Sequence, residues 1–208
     1  MTDVHRTYDR IAGHFAQTRE YPWPEVESFL EGRTAGLALD LGCGNGRHAE
    51  LLADRADRVL GVDASRGLLA EASERAAERE FGVELVAGDA AGIPVAADAV
   101  GLAVYVATLH HLPDRRARVA SLDELARVLE ADGAAVVSVW STEHDRFEGR
   151  EAGFDTSVDW TLPCGETVPR FYHVYDPGEF DTDLARSALS VESSFVSSGN
   201  CYAVVTPA

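Results

Sequence analysis

The chain contains no lysine. All 18 of its basic residues are arginine, set against 35 aspartates and glutamates, for a net charge of −17. Self-repulsion on that scale costs stability in dilute buffer but little in strong salt, where the Debye length falls to about 3 Å. The acidic excess therefore points to a protein adapted to a very salty cytoplasm. A GC-rich mesophilic genome is the other source of an arginine bias, but it does not by itself produce so many acids. Long apolar runs are also missing, and the opening Met1-Thr2-Asp3-Val4-His5 has no basic-then-apolar pattern. Neither a membrane span nor a secretion signal is read, and the protein is expected in the cytoplasm. Cysteine is scarce: Cys43, Cys164 and Cys201 form no CxxC pair. That argues against a disulfide framework and against an internal zinc site. Repeats, low-complexity stretches and linkers are absent too. What remains is a chain of 208 residues, 46% hydrophobic, long enough to bury a core as a single domain.

The pattern along the chain is an alternation of strands and helices. Residues 5–31 have helical spacing broken by Pro22 and Pro24. Short strands are expected at Leu37–Leu41, Arg58–Val62, Val83–Ala87 and Ala134–Trp140, and Val100–Thr108 is apolar enough for a strand buried on both faces. Helices are expected at Arg47–Asp54, Leu68–Arg79, Arg115–Glu130 (stopped by Asp132-Gly133) and Pro177–Ala188. Residues 141–170 read as irregular. Ser190–Ser197 and Tyr202–Thr206, joined by Ser198-Gly199-Asn200, read as an antiparallel hairpin. Such alternation implies an α/β fold, a mostly parallel sheet wrapped by helices on both faces.

The strongest motif is Asp40-Leu41-Gly42-Cys43-Gly44-Asn45-Gly46-Arg47, which follows a strand and opens a helix. Its glycines permit a tight turn and let a ligand lie against the backbone. A dinucleotide site would show G-x-G-x-x-G with a small residue where the pyrophosphate meets the helix. Arg47 occupies that place, and Asp40 before the glycines suits a ligand carrying a cationic amino group. Asp63, with Ala64 after it, ends the second strand and can accept from both hydroxyls of a ribose. Asp89, followed by Ala90, ends the third and can accept from an adenine amino group. One such acid alone is as readily a turn or helix cap. Three, at three successive strand ends, face one crevice.

This array, over roughly residues 36–140, resembles the class I S-adenosylmethionine-dependent methyltransferases. The resemblance implies a Rossmann-like seven-stranded sheet in the order 3-2-1-4-5-7-6. It also implies a cofactor site built from Asp40, Gly42, Gly44, Gly46, Asp63, Ala64, Asp89, Ala90 and Ala107. The flanking segments narrow it. Tyr8-Asp9-Arg10-Ile11-Ala12-Gly13-His14-Phe15, Thr18-Arg19-Glu20-Tyr21-Pro22-Trp23-Pro24, Ala107-Thr108-Leu109-His110-His111-Leu112 and Arg170-Phe171-Tyr172-His173-Val174-Tyr175 are similar to the tRNA wobble-uridine (carboxymethyluridine) methyltransferases, here in a haloarchaeal-like composition. Gly199-Asn200-Cys201-Tyr202 lacks the tryptophan that this family tends to place there.

What the resemblance implies is methyl esterification of a carboxylate on a modified uridine in the tRNA anticodon loop. A carboxylate is already nucleophilic at neutral pH, so it needs donors that hold it in line, not a base. Arg19, His110, Arg170 and His173 are the candidate catalytic residues, and no metal is called for. Each also has a structural alternative: a surface arginine, a strand-end histidine, half of an ion pair. Arg6, Arg10, Arg115, Arg116, Arg118, Arg146 and Arg150 are candidates for an RNA-facing rim. The resemblance further implies a small zinc-binding activator subunit, for which the apolar third strand at a sheet edge, with Ile93-Pro94-Val95-Ala96 beside it, offers a docking place. A methyltransferase acting on a small quinone-like metabolite shares the cofactor array and is the alternative. A cofactor-binding subunit without activity is a further one.

Overall fold

A computed structural model describes residues 4–208, so the reading of the first five residues falls partly outside the described range. In chain order the elements are α1 (Val4–Ala16), α2 (Pro24–Leu30), β1 (Ala35–Leu41), α3 (Arg47–Ala53), β2 (Ala56–Asp63), α4 (Arg66–Glu78), β3 (Glu84–Ala87), β4 (Val100–Val106), α5 (Arg115–Val128), β5 (Leu129–Trp140), β6 (Phe154–Thr161), β7 (Thr167–Val174), α6 (Pro177–Arg186), β8 (Leu189–Ser197) and β9 (Asn200–Pro207).

Seven strands form one sheet in the order β3-β2-β1-β4-β5-β9-β8. Strands β1 to β5 pair in parallel, and β9 runs antiparallel between β5 and β8. Numbered within the sheet this is the expected 3-2-1-4-5-7-6, since the separate β6–β7 hairpin lies between β5 and β8 in sequence. Alternate residues of the central strands feed two cores. Leu39, Leu41 and Tyr105 pack with Leu122 and Leu125 of α5 on one face. Ala38, Val104 and Val106 pack with Val26 and Leu52 on the other. That is why β4 reads as an unbroken apolar run: both of its faces are covered. The order reverses between β1 and β4, which opens a crevice at the carboxyl ends of the strands.

Two expectations are corrected. Asp132-Gly133 does not stop α5. The helix ends at Val128 and the chain enters β5 at Leu129 without a loop. Gly133 serves the sheet instead: a Cβ there would lie 2.7 Å from the Val100 carbonyl oxygen, where the β4–β5 register shifts. Residues 141–170 are not irregular throughout, because β6 and β7 pair from Phe154↔Val174 to Thr161↔Thr167. Phe154, Val158 and Trp160 share a face with Val168, Arg170 and Tyr172, and Asp155 and Asp159 face the other way. The hairpin is fastened to α1: the Trp160 indole N–H donates to His14 Nδ1 at 3.0 Å, and Val168 packs with Tyr8 and Ile11. Among the described residues, no helix is long and apolar enough to cross a membrane.

Candidate active site

The turn from β1 into α3 approaches the end of β4 closely. At Gly42 (φ 73°) a Cβ would fall 2.1 Å from Thr108 Oγ1, so only glycine fits. Gly44 also has positive φ, but no protein atom lies within 4 Å of where its Cβ would be. Its bare backbone faces open space, and its amide donates to Asp63 Oδ2 at 2.9 Å. The Ser65 amide donates to the other Asp63 oxygen at 2.8 Å. Asp63 is thus oriented from both sides, with a lone pair left on each oxygen for a ligand. Burial raises its pKa, and these two amides work against the rise.

A cavity of about 770 Å³ opens here, lined by Gly42, Gly44, Asp63, Ala64, Asp89, Ala90 and Ala107 among others. Asp89 keeps Oδ1 on the Ala91 amide at 2.9 Å. Ala107 holds a left-handed φ of 55° as the chain leaves β4, a strained conformation of a kind that clusters at functional sites. Two expected members do not line the cavity. Gly46 begins α3 and keeps that helix close to α4, where its Cβ would lie 3.3 Å from Ala72. Asp40 is buried beneath the loop with Oδ2 unpartnered, and burial pushes its pKa up to about 7. Its carboxylate therefore lies beneath the glycine loop and not on the cavity wall, where the sequence pattern placed it. Arg47 is half-buried and lies over the Trp23 ring at 5.2 Å.

Helix α1 roofs the cavity with Tyr8 and Phe15. Asp9 fixes that roof, accepting from Ser65 Oγ and the Gly67 amide, each at 2.8 Å. Asn45, within the glycine loop, donates to the carbonyl oxygens of Ala16 and Arg19 at 3.3 and 2.9 Å. The cofactor loop and the segment bearing Arg19 are thereby tied together. Sequence reasoning did not single out Asn45, nor Tyr8 as a cavity residue, although both lie inside motifs it quoted.

On the far wall His111 lines the cavity and His110 does not. His111 Nδ1 is 2.8 Å from the Phe171 carbonyl, which can only accept, so Nδ1 carries the proton and Nε2 accepts from the Tyr8 hydroxyl at 2.9 Å. Burial pushes the His111 pKa down to about 4, so the ring is neutral. His110 is buried with Nδ1 accepting from the Trp140 amide at 2.9 Å. Its Nε2 therefore bears the proton and has no partner. The His110 ring packs on Tyr172 at 5.1 Å.

The same Tyr172 ring carries Arg170, whose guanidinium lies 5.2 Å from it and 4.8 Å from Trp160. Arg170 is 7% exposed, its Nε is unpartnered, and no carboxylate is within ion-pair distance among the described residues. Arg19 stacks on Phe15 at 4.8 Å and on Trp160 at 5.8 Å. Burial, then the neighbouring Arg170 charge, lowers its pKa, with Tyr172 opposing. The structure thus brings Arg19, His110 and Arg170 together, behind Tyr8. His173 is corrected. It faces the opposite side of β7 and is held by Asp155 at 2.7 Å and Glu179 at 3.1 Å. Three of the rim arginines are likewise occupied: Arg10 by Glu166, Arg115 by Asp183, and Arg118, which is buried, by Glu179.

Comparison with known proteins decides the family. A methyltransferase-domain family model matches residues 38–133. The tRNA (carboxymethyluridine(34)-5-O)-methyltransferase alkbh8 of Xenopus tropicalis is 37% identical over 143 residues, 68% of this chain and 22% of its own. A putative methyltransferase of Encephalitozoon cuniculi is 34% identical over 179 residues, 83% of this chain and 80% of its own. The chain belongs to the class I S-adenosylmethionine-dependent methyltransferases. Among solved structures, the CcbJ methyltransferase of Streptomyces caelestis shares the fold with a TM-score of 0.78 at 20% identity, covering 99% of each chain. The first four carboxymethyluridine relatives are larger proteins, of which this methyltransferase spans only 20–33%.

The cofactor of this family is S-adenosylmethionine, and the residues present fit it. The cavity has the volume of a small-ligand site. Gly44 leaves a cradle that any side chain would fill, and the fixed Asp63 carboxylate suits a ribose diol. With Arg47 over Trp23, no arginine among the described residues lines the cavity to meet a diphosphate, whereas the acids favour a cationic ligand.

Proposed function

We propose that this methyltransferase esterifies the carboxylate of a carboxymethyl-type uridine at the wobble position of a tRNA anticodon. One observation carries the reading. In a chain with 35 acids, Arg170 is buried beside Arg19 with no carboxylate among the described residues within ion-pair distance. Burying an uncompensated cation is costly, so such a site suits a ligand that brings the negative charge. The names of the curated relatives point to the same acceptor.

Bound S-adenosylmethionine supplies an electrophilic methyl group on sulfonium sulfur. A carboxylate acceptor would be ready to receive that methyl group without losing a proton. The protein accordingly needs no general base, and the neutral His111 is not asked to be one. Arg170 and Arg19 hold the carboxylate, and the unpartnered His110 Nε2–H is a third donor. Tyr8 touches both sides: it lines the cavity, and Arg170 acts on its hydroxyl. Donor and acceptor therefore meet at Tyr8, whose hydroxyl is fixed by His111. α1 and the β6–β7 hairpin exclude water from this boundary.

A small zinc-binding activator subunit belongs to the same proposal, docked along β3. That strand has four residues, lies at the sheet edge and, among the described residues, pairs with β2 alone. Pro94 and Ala96 remain exposed beside it, whereas Ile93, expected to add contact area, is buried. Purified protein is to be given S-adenosylmethionine and carboxymethyluridine-containing tRNA in strong salt, with and without the candidate subunit. Methyl transfer only to a quinone-like metabolite would overturn the acceptor. Full activity of a monomer that captures no small zinc protein would remove the activator.

A further inference from the structure

Among the described residues, eight arginines lie within 4.0 Å of a carboxylate. Five others rest on aromatic rings with no carboxylate at that distance. Arg47, on Trp23, stands apart. The remaining four belong to one connected strip. Arg19 and Arg170 share Trp160, and Arg170 also lies on Tyr172. Tyr172 meets Trp140 at 5.1 Å, Trp140 meets Phe147 at 4.6 Å, and Phe147 meets Phe154 at 5.3 Å. The far end carries two more cations: Arg146 over Trp140 at 5.9 Å and Arg150 over Phe154 at 4.7 Å.

The strip changes character along its length. Arg170 is buried, whereas Arg146 and Arg150 are exposed and the rings beneath them, Trp140, Phe147 and Phe154, are only half-buried. The 141–153 segment also carries Glu143, Asp145, Glu148 and Glu151, none within ion-pair distance of either arginine. The hairpin's own stability explains rings packed on rings. It does not explain two exposed guanidinium planes laid on those rings in a chain so rich in alternative partners.

We infer that this outer end, Arg146 and Arg150 on Trp140 and Phe154, binds the unpaired nucleotides that flank the methylated one in an RNA loop. The rings offer stacking faces that accept any base, and the guanidinium groups both extend those faces and meet phosphates. One strip would then run from the flanking nucleotides to the arginine pair that holds the acceptor. Stacking is also the contribution that survives strong salt, where counterion release adds little. The inference rests on the RNA acceptor proposed above.

The test compares wild type, R146Q/R150Q and R146K/R150K in strong salt. It measures fluorescence anisotropy of a labelled anticodon stem-loop RNA carrying carboxymethyluridine at the wobble position and methyl transfer to the same RNA, with S-adenosylmethionine affinity as the control for folding. R146Q/R150Q is expected to raise Kd and KM for the RNA about tenfold, with a much smaller change in kcat. R146K/R150K should recover little, because lysine cannot stack as a plane and its point charge is screened. Unchanged Kd and KM in R146Q/R150Q would overturn the inference, as would full recovery in R146K/R150K. A wild type that binds the stem-loop through these arginines without methylating it would uphold the strip and overturn the proposed reaction. A wild type that does neither would overturn both.

Discussion

Replacing Arg170 with methionine separates a functional cation from a structural one. The variant keeps most of the aliphatic stem that packs in the hairpin but removes a guanidinium that is 7% exposed, with its Nε unpartnered. A buried charge with a protein partner would cost about 3–5 kcal/mol to break. Here no carboxylate among the described residues loses a partner. Losing the stacking on Trp160 and Tyr172 costs about 0.5–2 kcal/mol for each ring. Removing the buried, unpartnered Nε–H returns about 1–3 kcal/mol. The two nearly cancel, so unfolding free energy from urea titration should change by no more than about 1–2 kcal/mol. Acceptor binding should suffer far more. Two charge-assisted hydrogen bonds to a carboxylate are worth about 3 kcal/mol together at the low end, a loss of about a hundredfold or more in kcat/KM for the tRNA. S-adenosylmethionine affinity, measured by calorimetry, should stay as in wild type. A variant that unfolds easily, or one that keeps full kcat/KM, would refute the assignment of Arg170 to the acceptor.

Asp63→Ala removes the amide-held carboxylate proposed to accept from the ribose and should weaken S-adenosylmethionine by about 2–4 kcal/mol in calorimetry. Unchanged affinity would sink that role. Gly42→Ala and Gly44→Ala should behave differently: the first drives a methyl group into Thr108 and lowers thermal stability, whereas the second meets open space. It should keep the fold to within about 1–2 kcal/mol while losing cofactor binding. Acid stability follows His111, whose pKa burial lowers to about 4 against about 6.5 unfolded. Its contribution is full above pH 6.5 and is lost as pH falls toward 4, at most about 3 kcal/mol. Asp40 acts oppositely, because its pKa is raised to about 7, so its contribution is present at low pH and is lost as pH rises from about 4 toward 7. Urea titrations between pH 4.5 and 7.5 should therefore show a shallower acid limb in His111→Gln and a steeper one in Asp40→Asn, and equal slopes in all three proteins would contradict both assignments.

The cofactor side was legible in the sequence because its chemistry is local. Glycines and acids at strand ends keep their meaning wherever the sheet twists, and Gly42, Gly44, Asp63 and Asp89 stand on the cavity as read. Asp40 shows the limit of that reading: the motif names the residue but not the depth at which its carboxylate is buried. The acceptor side depends on which face a residue takes. Arg170 and His173 are three apart on one strand, so the period of two sends them to opposite sides. That separation became visible only once β7 was recognised as a strand. The signal was present in β6, where Phe154, Val158 and Trp160 alternate with Asp155, Ser157 and Asp159, but the polar residues masked it. His110 and His111 are adjacent in a single 3-10 turn, and nothing in their spacing says which ring meets the cavity and which is buried behind it. That Arg170 has no carboxylate beside it is a fact of tertiary packing: among the described residues eight other arginines found acids and this one found rings.

The carboxylate of a wobble uridine is the proposed acceptor of the methyl group. The most direct measurement is mass spectrometry of nucleosides from total tRNA of a strain lacking this protein, alongside the same strain supplied with wild type or with R170M. Without the protein the methyl ester should disappear and the free carboxymethyl nucleoside accumulate, and wild type but not R170M should restore the ester. Undiminished methyl ester in the strain lacking the protein would contradict it.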